Sequence, residues 1–494
     1  MQNRRDQVQA HRFVVSRLTS GLLRADPDAP EPPTRRTDKG VALGAVFAAV
    51  LGVGALVFGL ISPGGAVGWR DGQTLVVEKE TGNRYLFDGD KLSPVRNYTS
   101  ARLLAGAGLK TDVVSAASLR GTPHGDPVGI EGAPYDLPDT TSSGVWEVCT
   151  GTQATESGER RGVTTLVIDS KLSHASVTDG ILVREAHSDL YLVSHGTRFR
   201  LPNAQAAATA LGYGAGTPLP VSAAFLDSVP AGADLAPPQV SGQGKAGPDL
   251  GGVHTRVGQV FTVRTPGSDQ QYYLLLRSGL TPLTTTQAAL ALGAPSTREK
   301  AYAGKLPTAV QLSSDTVDQA LAPKTSAGES ATVAKVGSAL PTAPPRLTGV
   351  ADDDDLCVRL TPHGDAGTGI DLVTVPDDDV AELAAAPRRS LAAPCLKVDA
   401  VSVSANGGGL VRALGSAGAD VGTTTYLVTD TGEKYRVTSE AAATALGYDL
   451  GHARKVPSPL LDMLPTGPDL SLDAAKSGSS DAAGQDRCGG KQKA

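Results

Sequence analysis

The chain is poor in aromatic residues and has no strong excess of either charge. Phe, Trp and Tyr make up 4% of its 494 residues, and its net charge is −6 at pH 7. This mildly acidic balance argues against nucleic-acid binding by most of the chain. Glycine and proline, by contrast, are abundant, at 58 and 33 residues. The composition therefore favours short strands, turns and irregular connections over one large enzyme core.

The sequence also lacks the motifs of common enzymes. A phosphate-binding loop needs GxxxxGK followed by Ser or Thr. The three Gly-Lys pairs, which begin at Gly244, Gly304 and Gly490, have neither the upstream Gly nor the hydroxyl residue. The nucleophile elbow GxSxG, the zinc motif HExxH and the EF-hand loop are absent too. We therefore predict no catalytic residue, no cofactor and no metal ligand.

Two polar patterns do not change this interpretation. The string TPHGD occurs at Thr122–Asp126 and at Thr361–Asp365, and the Pro and Gly beside each His predict turns. Aspartate runs at Asp352–Asp355 and Asp377–Asp379 lack the ligand spacing of a calcium loop. We interpret them as solvated surface.

One long apolar run divides the chain. Residues Val41 to Ile61 contain no charge and no Pro. At about 1.5 Å per residue, such a run spans the roughly 30 Å hydrocarbon core of a bilayer. The alternative is a signal peptide cleaved near Gly64 or Ala66, but its apolar core would be about 7–15 residues behind a shorter leader. The run therefore predicts an uncleaved transmembrane helix.

Basic residues orient this helix. Those before it are Arg4, Arg5, Arg12, Arg17, Arg24, Arg35, Arg36 and Lys39, whereas the first one after it is Arg70. Because Lys and Arg accumulate on the cytoplasmic side, the N-terminus is expected inside the cell. Residues 62–494 are expected outside the plasma membrane.

The N-terminal head has the spacing of an amphipathic helix. Val8, Val15, Leu18 and Leu22 recur at helical intervals, and Phe13 with Val14 is expected to widen this stripe. Such a helix either lies on anionic lipid headgroups or docks onto a cytoplasmic partner, and the two roles are compatible. A Pro-rich spacer, residues 25–38, follows it.

The four cysteines all lie on the expected outer side. They are Cys149, Cys357, Cys395 and Cys488. In an oxidising compartment an even number permits two disulfides, with three connectivities. No CxxC motif or His/Cys cluster supports a metal site instead.

Two segments 235 residues apart are nearly the same. Tyr191–Tyr213 and Tyr426–Tyr448 each predict a hairpin followed by a helix, which ends at Gly212 or Gly447. The match continues through the pairs Asp227/Asp462, Pro230/Pro465, Gly232/Gly467, Asp234/Asp469 and Leu235/Leu470.

Two weaker copies, Tyr85–Gly108 and Tyr272–Gly293, share an offset of 188 residues. Self-similarity of this kind indicates small modules of one fold. Two interpretations remain open: the shared residues only pack hairpin against helix, or the modules bind something extended, such as cell-wall glycan or a partner subunit.

Several motifs together resemble those of the EccB family, the single-span core components of type VII (ESX) secretion systems. The resemblance rests on the head, where Arg4-Arg5-x-Gln7-Val8 precedes Arg12-Phe13 and Arg17-Leu18, and on the position of the span. Gly129–Pro134 is similar to the family string GIPGAP, with Glu131 in place of the usual Pro. Trp146-x-x-Cys149 and Leu356-Cys357-Val358 are similar to its paired-cysteine segments. The resemblance covers essentially the whole chain.

This resemblance implies a scaffold rather than an enzyme. It implies a complex in the plasma membrane with EccC, the motor ATPase, and with EccD and EccE, in which the chain also pairs with a second copy. It further implies docking of the cytoplasmic head through Arg4, Arg5, Val8, Arg12, Phe13, Arg17 and Leu18, and a disulfide between Cys149 and Cys357. A second bridge between Cys395 and Cys488 would use the remaining pair. The alternatives are a peptidoglycan-binding anchor and an unconventional ATPase, since some relatives are described as ATPases.

We therefore expect an α+β protein in which a β-rich central domain lies between four small repeats that resemble a phage-lysin wall-binding fold. The expected segments are a cytoplasmic head and linker (1–40), the transmembrane helix (41–61), repeat 1 (62–120), the first part of the central domain (121–188), repeat 2 (189–252), repeat 3 (253–295), the second part of the central domain with linkers (296–422), repeat 4 (423–473) and a flexible tail (474–494).

Overall fold

The computed structural model describes residues 4–25, 35–61, 68–138, 144–154, 160–185, 189–323, 328–362, 368–383, 392–415 and 420–478. The chain folds as two units. One comprises Met1–Pro94 with Leu109–Asp126, and the other comprises Val95–Gly108 with Pro127–Ala494. Within the described residues the structure is a mixture of helices and small sheets, as the α+β expectation requires.

The helices and strands are short apart from the first two helices. The helices are α1 (Arg4–Arg24), α2 (Arg35–Ile61), α3 (Tyr98–Ala105), α4 (Ala116–Leu119), α5 (Ala204–Ala210), α6 (Ala223–Ser228), α7 (Thr285–Gly293), α8 (Ser314–Ala320), α9 (Glu329–Ser338), α10 (Asp377–Leu383), α11 (Glu440–Leu446), α12 (Ser458–Asp462) and α13 (Leu472–Ser477). The strands are β1 (Thr74–Glu78), β2 (Arg84–Phe87), β3 (Leu92–Pro94), β4 (Lys110–Val114), β5 (Trp146–Ala154), β6 (Arg160–Ile168), β7 (Ala175–Ser176), β8 (Ile181–Glu185), β9 (Leu190–Ser194), β10 (Thr197–Leu201), β11 (Leu219–Val221), β12 (Val260–Val263), β13 (Gln271–Leu276), β14 (Gly279–Leu283), β15 (Val310–Gln311), β16 (Asp354–Pro362), β17 (Thr368–Pro376), β18 (Ala400–Val403), β19 (Gly409–Leu414), β20 (Asp420–Val428), β21 (Lys434–Val437) and β22 (Arg454–Pro457).

Helix α2 contains the predicted apolar run. Its segment Thr37–Phe58 is long and apolar enough to cross a membrane, and none of it is buried inside the protein. A helix that is apolar on all sides and unburied loses free energy in water, because no neighbouring element covers it. The segment is therefore a candidate membrane span.

Four small sheets have the same strand order. They are β3-β2-β1-β4, β10-β9-β8-β11, β14-β13-β12-β15 and β21-β20-β19-β22. In each, three strands pair antiparallel, and the fourth pairs parallel to the first. A parallel partner requires a crossover connection. The helices α3, α5, α7 and α11 provide it, and a second short helix follows the fourth strand.

The predicted hairpins are formed by local turn chemistry. Ser194 pairs with Thr197 across a two-residue turn in which His195 and Gly196 both have positive φ, 48° and 66°. This conformation matches the twist of a tight hairpin. The predicted helix end at Gly447 is confirmed, since this residue is left-handed with φ 91°.

The sheets extend beyond the segments that self-similarity marked. The first strands β8 and β19 begin before residues 189 and 423, and β15 lies after residue 295. These strands pair with distant partners and share few residues between copies. Self-similarity therefore marked the hairpin and the helix but not the complete sheet.

A six-stranded sheet, β18-β6-β5-β16-β17-β7, forms the central domain. Cys149 and Cys357 are directly opposite each other on β5 and β16, and their sulfurs form a disulfide. On the other face, Val148, Leu166 and Val358 share one core with residues of the second and fourth small sheets. The first and third small sheets have separate cores, around Trp69 and around residues such as Phe261.

The first TPHGD string is not a turn, so this prediction was wrong. Pro123 O accepts a hydrogen bond from Leu92 N at 2.8 Å, and Gly125 N donates to Leu92 O at 2.9 Å. The segment therefore lies extended along β3, and the His124 ring packs edge-on against Tyr85. His363–Asp365 of the second string lie outside the described residues.

Candidate functional site

The predicted docking residues of the head all lie on α1. Val8, Phe13 and Leu18 are more than half exposed. At about 100° per residue Phe13 lies opposite Leu22, and its ring lies 5.5 Å from the Arg17 guanidinium carbon. Phe13 therefore does not widen the apolar stripe as predicted. Instead, α1 presents an apolar stripe on one face and a cation–π pair on the opposite face.

The acidic residues shared by the repeated segments form ion pairs. Asp227 pairs with Arg198 at 3.0 Å, and the matching Asp462 lies 3.7 Å from Lys434. In the same way, Asp234 pairs with Arg200 at 2.6 Å, and Asp469 pairs with Arg436. Burial lowers the pKa of the Lys434 ammonium. The shared acids thus fasten the segment after each repeat to its hairpin.

The shared glycines allow that segment to lie close to the hairpin. Gly232 N donates to Arg198 O at 2.8 Å, and Gly467 N donates to Lys434 O at 2.9 Å. A Cβ added at Gly232 would lie 2.6 Å from the Phe199 ring, and one at Gly467 would overlap the Tyr435 ring. The similarity beyond Tyr213 and Tyr448 is therefore explained by packing, which supports the scaffold interpretation of these residues.

The string Gly129–Pro134 fastens α3 to the fourth small sheet. Ile130 is fully buried, its N–H donates to Ser100 Oγ at 2.9 Å, and its carbonyl accepts from Asn97 Nδ2 at 2.8 Å. Gly129 N donates to Ala475 O at 2.9 Å. The Glu131 side chain is exposed and pairs with Arg96, so a Glu fits where the family usually has Pro.

An acidic cleft of about 970 Å³ lies beside the central sheet. Its lining includes the aspartates at positions 352, 354, 355, 377, 378 and 399. Burial, together with the neighbouring charges of Asp377 and Asp354, raises the pKa of Asp355 to about 6. Within the described residues, no group of three His, Cys, Asp or Glu side chains is arranged to hold a metal ion.

This shift predicts a pH-dependent stability. Between pH about 4 and 6 the folded protein binds the Asp355 proton and the unfolded chain does not, so stability falls as pH rises through this window. Asp355→Asn should remove this dependence and stabilise the protein at pH 7.5 by about 1–2 kcal/mol, after a discount for partial exposure. Denaturant unfolding at pH 4.5 and 7.5 measures the effect. The matched control is Asp399→Asn, which should destabilise because Asp399 accepts from Thr164 N and pairs with Arg161. Parallel pH profiles of Asp355→Asn and the wild type would contradict the prediction.

These features define a class: a chain with one helix able to cross a membrane, followed by small mixed sheets arranged with a disulfide-linked central sheet. Residues 2–483 match the family model described as "Type VII secretion system ESX-1, transport TM domain B". The chain belongs to this family, EccB.

Named relatives come from mycobacteria. The chain is 29% identical over 303 residues to the ESX-3 secretion system ATPase EccB3 of Mycobacterium tuberculosis, a match that covers 58% of this chain and 55% of the relative. It is 30% identical over 331 residues to the ESX-5 secretion system ATPase EccB5 of the same species, covering 62% of this chain and 64% of the relative. The chain thus spans little more than half of the length of the first of these relatives.

Solved structures have the same fold. One is the periplasmic assembly from the ESX-5 inner membrane complex, with a TM-score of 0.62, 25% identity and coverage of 84% of this chain and 97% of that chain. Another is the EccB3 dimer from the ESX-3 core complex, with a TM-score of 0.64, 22% identity and coverage of 81% and 99%.

Cys395 is also disulfide-bonded, whereas Cys488, its predicted partner, lies outside the described residues. The sequence indicated the head, the span and the cysteines. It did not indicate the ion pairs, because the partners lie about 30 residues apart and meet only after the chain folds back.

Proposed function

We propose that the chain is a structural subunit of a type VII secretion membrane complex. The observation that carries the proposal is the family match, which runs through the head, the candidate span and the β-rich part without interruption. In this proposal α2 crosses the plasma membrane, α1 lies in the cytoplasm with the basic residues, and the small sheets lie outside the cell. EccC-, EccD- and EccE-type subunits are the proposed partners, together with a second copy of the chain.

Within this role we propose that the four small sheets are copies of one repeat, on the basis of their common strand order. We place two of these copies at residues 181–235 and 409–470, wider than the similarity alone indicated. We also propose a Cys395–Cys488 bridge, which would fasten the C-terminal tail to the segment before β18.

Affinity purification of the tagged full-length chain from solubilised membranes, followed by mass spectrometry, tests the assembly role. We expect an FtsK-like ATPase and a multi-spanning subunit at stoichiometric levels. Recovery of the chain alone, in a detergent that preserves other membrane complexes, would contradict the proposal and favour a free peptidoglycan-binding anchor.

The head offers a sharper test of docking. Leu18→Glu places a charge in the apolar stripe of α1, and a buried unpaired charge opposes docking. We expect recovery of the partners to fall by about tenfold or more. Gln9→Glu, which adds the same charge on the opposite side of the helix, is the matched control and should leave recovery unchanged. Equal losses from both variants would contradict docking through the stripe.

ATP hydrolysis is the second candidate function, favoured by the names of the relatives, which call them secretion system ATPases. Turnover should then increase in proportion to the purified chain and remain with it through a further column. An activity that separates from the chain would contradict this candidate.

A further inference from the structure

The third small sheet carries two additions that present positive charge. Its connection from helix to fourth strand, residues 294–309, is longer than the corresponding connections 106–109, 211–218 and 447–453. A hairpin-like segment, residues 242–258, also precedes its first strand. The additions contact each other, since Gln243 Nε2 donates to Thr297 Oγ1 at 3.1 Å and Gln259 Nε2 donates to Ala301 O at 3.3 Å.

Six exposed basic side chains project from this region, and none of them has an ion-pair partner among the described residues: Lys245, Arg256, Arg277, Arg298, Lys300 and Lys305. Their bases are fixed by the fold. Arg256 Nη1 donates to Gly244 O at 3.2 Å, and Arg298 Nε donates to Gly304 O at 3.0 Å. Unpaired charges so close together repel one another, which favours a bound anionic surface.

An apolar residue marks the tip of this region. Leu306 is 77% exposed, more than any other large apolar side chain described after the candidate span. The loop that carries it, residues 303–307, starts from a fixed base: Tyr302 OH accepts from Val260 N at 3.0 Å and donates to Thr308 O at 2.9 Å. We name residues 298–307 the basic loop.

The acidic cleft has the complementary character. Apolar side chains, among them Leu182, Val350 and Val380, form part of its wall beside the aspartates. Thr150, also in this wall, is 1% exposed, and its hydroxyl has no hydrogen-bond partner among the described residues. A buried hydroxyl without a partner is unfavourable, so a ligand with a donor or acceptor would be stabilised there.

We propose that the basic loop of one copy of the chain enters the acidic cleft of a second copy. Leu306 contacts the apolar wall, while Lys300 and Lys305 pair with the aspartates at positions 377 and 378. In a twofold pair each copy gives one loop and receives one, so two equivalent contacts form. This inference rests on the proposed role as a subunit of an assembly and assigns the surfaces by which two copies meet.

A charge-exchange experiment tests the proposal on the full-length chain in detergent. The first variant carries Lys300→Glu and Lys305→Glu, and the second carries Asp377→Lys and Asp378→Lys. We expect each variant alone to dimerise about tenfold more weakly than the wild type, because like charges then meet at both contacts. Mixing the two variants should restore dimers, because each contact then joins opposite charges. Mass photometry across a concentration series measures the dimer fraction.

Restoration by mixing cannot arise from misfolding of either variant. Lys335→Glu with Lys476→Glu, a reversal of two exposed charges elsewhere, is the matched control and should dimerise as the wild type does. Leu306→Ala should weaken dimers at both low and high salt, whereas the charge variants should matter less at high salt. A monomeric wild type, unchanged single-variant dimers, or a mixture that stays monomeric would overturn the proposal. Recovery of the other secretion subunits with a charge variant would still leave the assembly role intact, so the two failures are distinguishable.

Discussion

Replacing Cys149 and Cys357 together by alanine should lower the free energy of unfolding of the central domain by about 5 kcal/mol. The bond joins residues separated by 208 positions, so its loss releases a very long loop in the unfolded chain. Both residues are at most 1% exposed on neighbouring strands, and the loop between them contains the whole of the second and third small sheets. Thermal and denaturant unfolding of the double variant measure the loss.

Reduced wild-type protein is the control for this experiment. If the bond itself is responsible, the reduced protein and the double variant should unfold at nearly the same denaturant concentration. A loss below about 1 kcal/mol would show that the sheet is held by its strand pairing and by the core around Val148 and Val358, and would contradict the prediction.

The sequence allowed prediction of local features better than of pairing. The hairpin at Gly196 and the helix end at Gly447 follow from residues that lie next to each other in the chain. Strands β8 and β11 could not be found in this way, because each is defined by a partner far along the chain. The extended course of Pro123–Gly125 was misread for the same reason: its Pro and Gly indicate a turn locally, but hydrogen bonds to Leu92 hold it straight.

The candidate surfaces divide in the same manner. The span and the head are continuous segments, so composition and helical spacing reveal them. The basic loop and the acidic cleft are assembled from separate segments. Lys305 drew notice in the sequence only as part of a Gly-Lys pair without a phosphate-binding loop, and Asp377 and Asp378 only as solvated surface. Charge in a sequence shows its meaning after the fold places a group beside neighbours of the same sign and away from its opposites.

Gly467→Ala should destabilise the fourth small sheet by about 3 kcal/mol. A Cβ at this position would lie within 3.0 Å of three atoms of the Tyr435 ring. The ring cannot move aside easily, because it is 2% exposed and its hydroxyl donates to Glu433 Oε2 at 2.7 Å. Gly467 does not have a positive φ, so the clash alone sets the cost.

A double-mutant cycle separates this clash from other effects of the alanine. In a Tyr435→Leu background the smaller side chain leaves room for the new methyl group, so the cost of Gly467→Ala should fall below about 1 kcal/mol. Gly349→Ala is the matched control, since a Cβ there would meet no atom within 4 Å, and it should be nearly neutral. An equal cost of Gly467→Ala in both backgrounds would show that the ring does not require the glycine. The shared Gly232 and Gly467 would then need an explanation other than packing, and a ligand-binding role for the segments after each repeat would regain support.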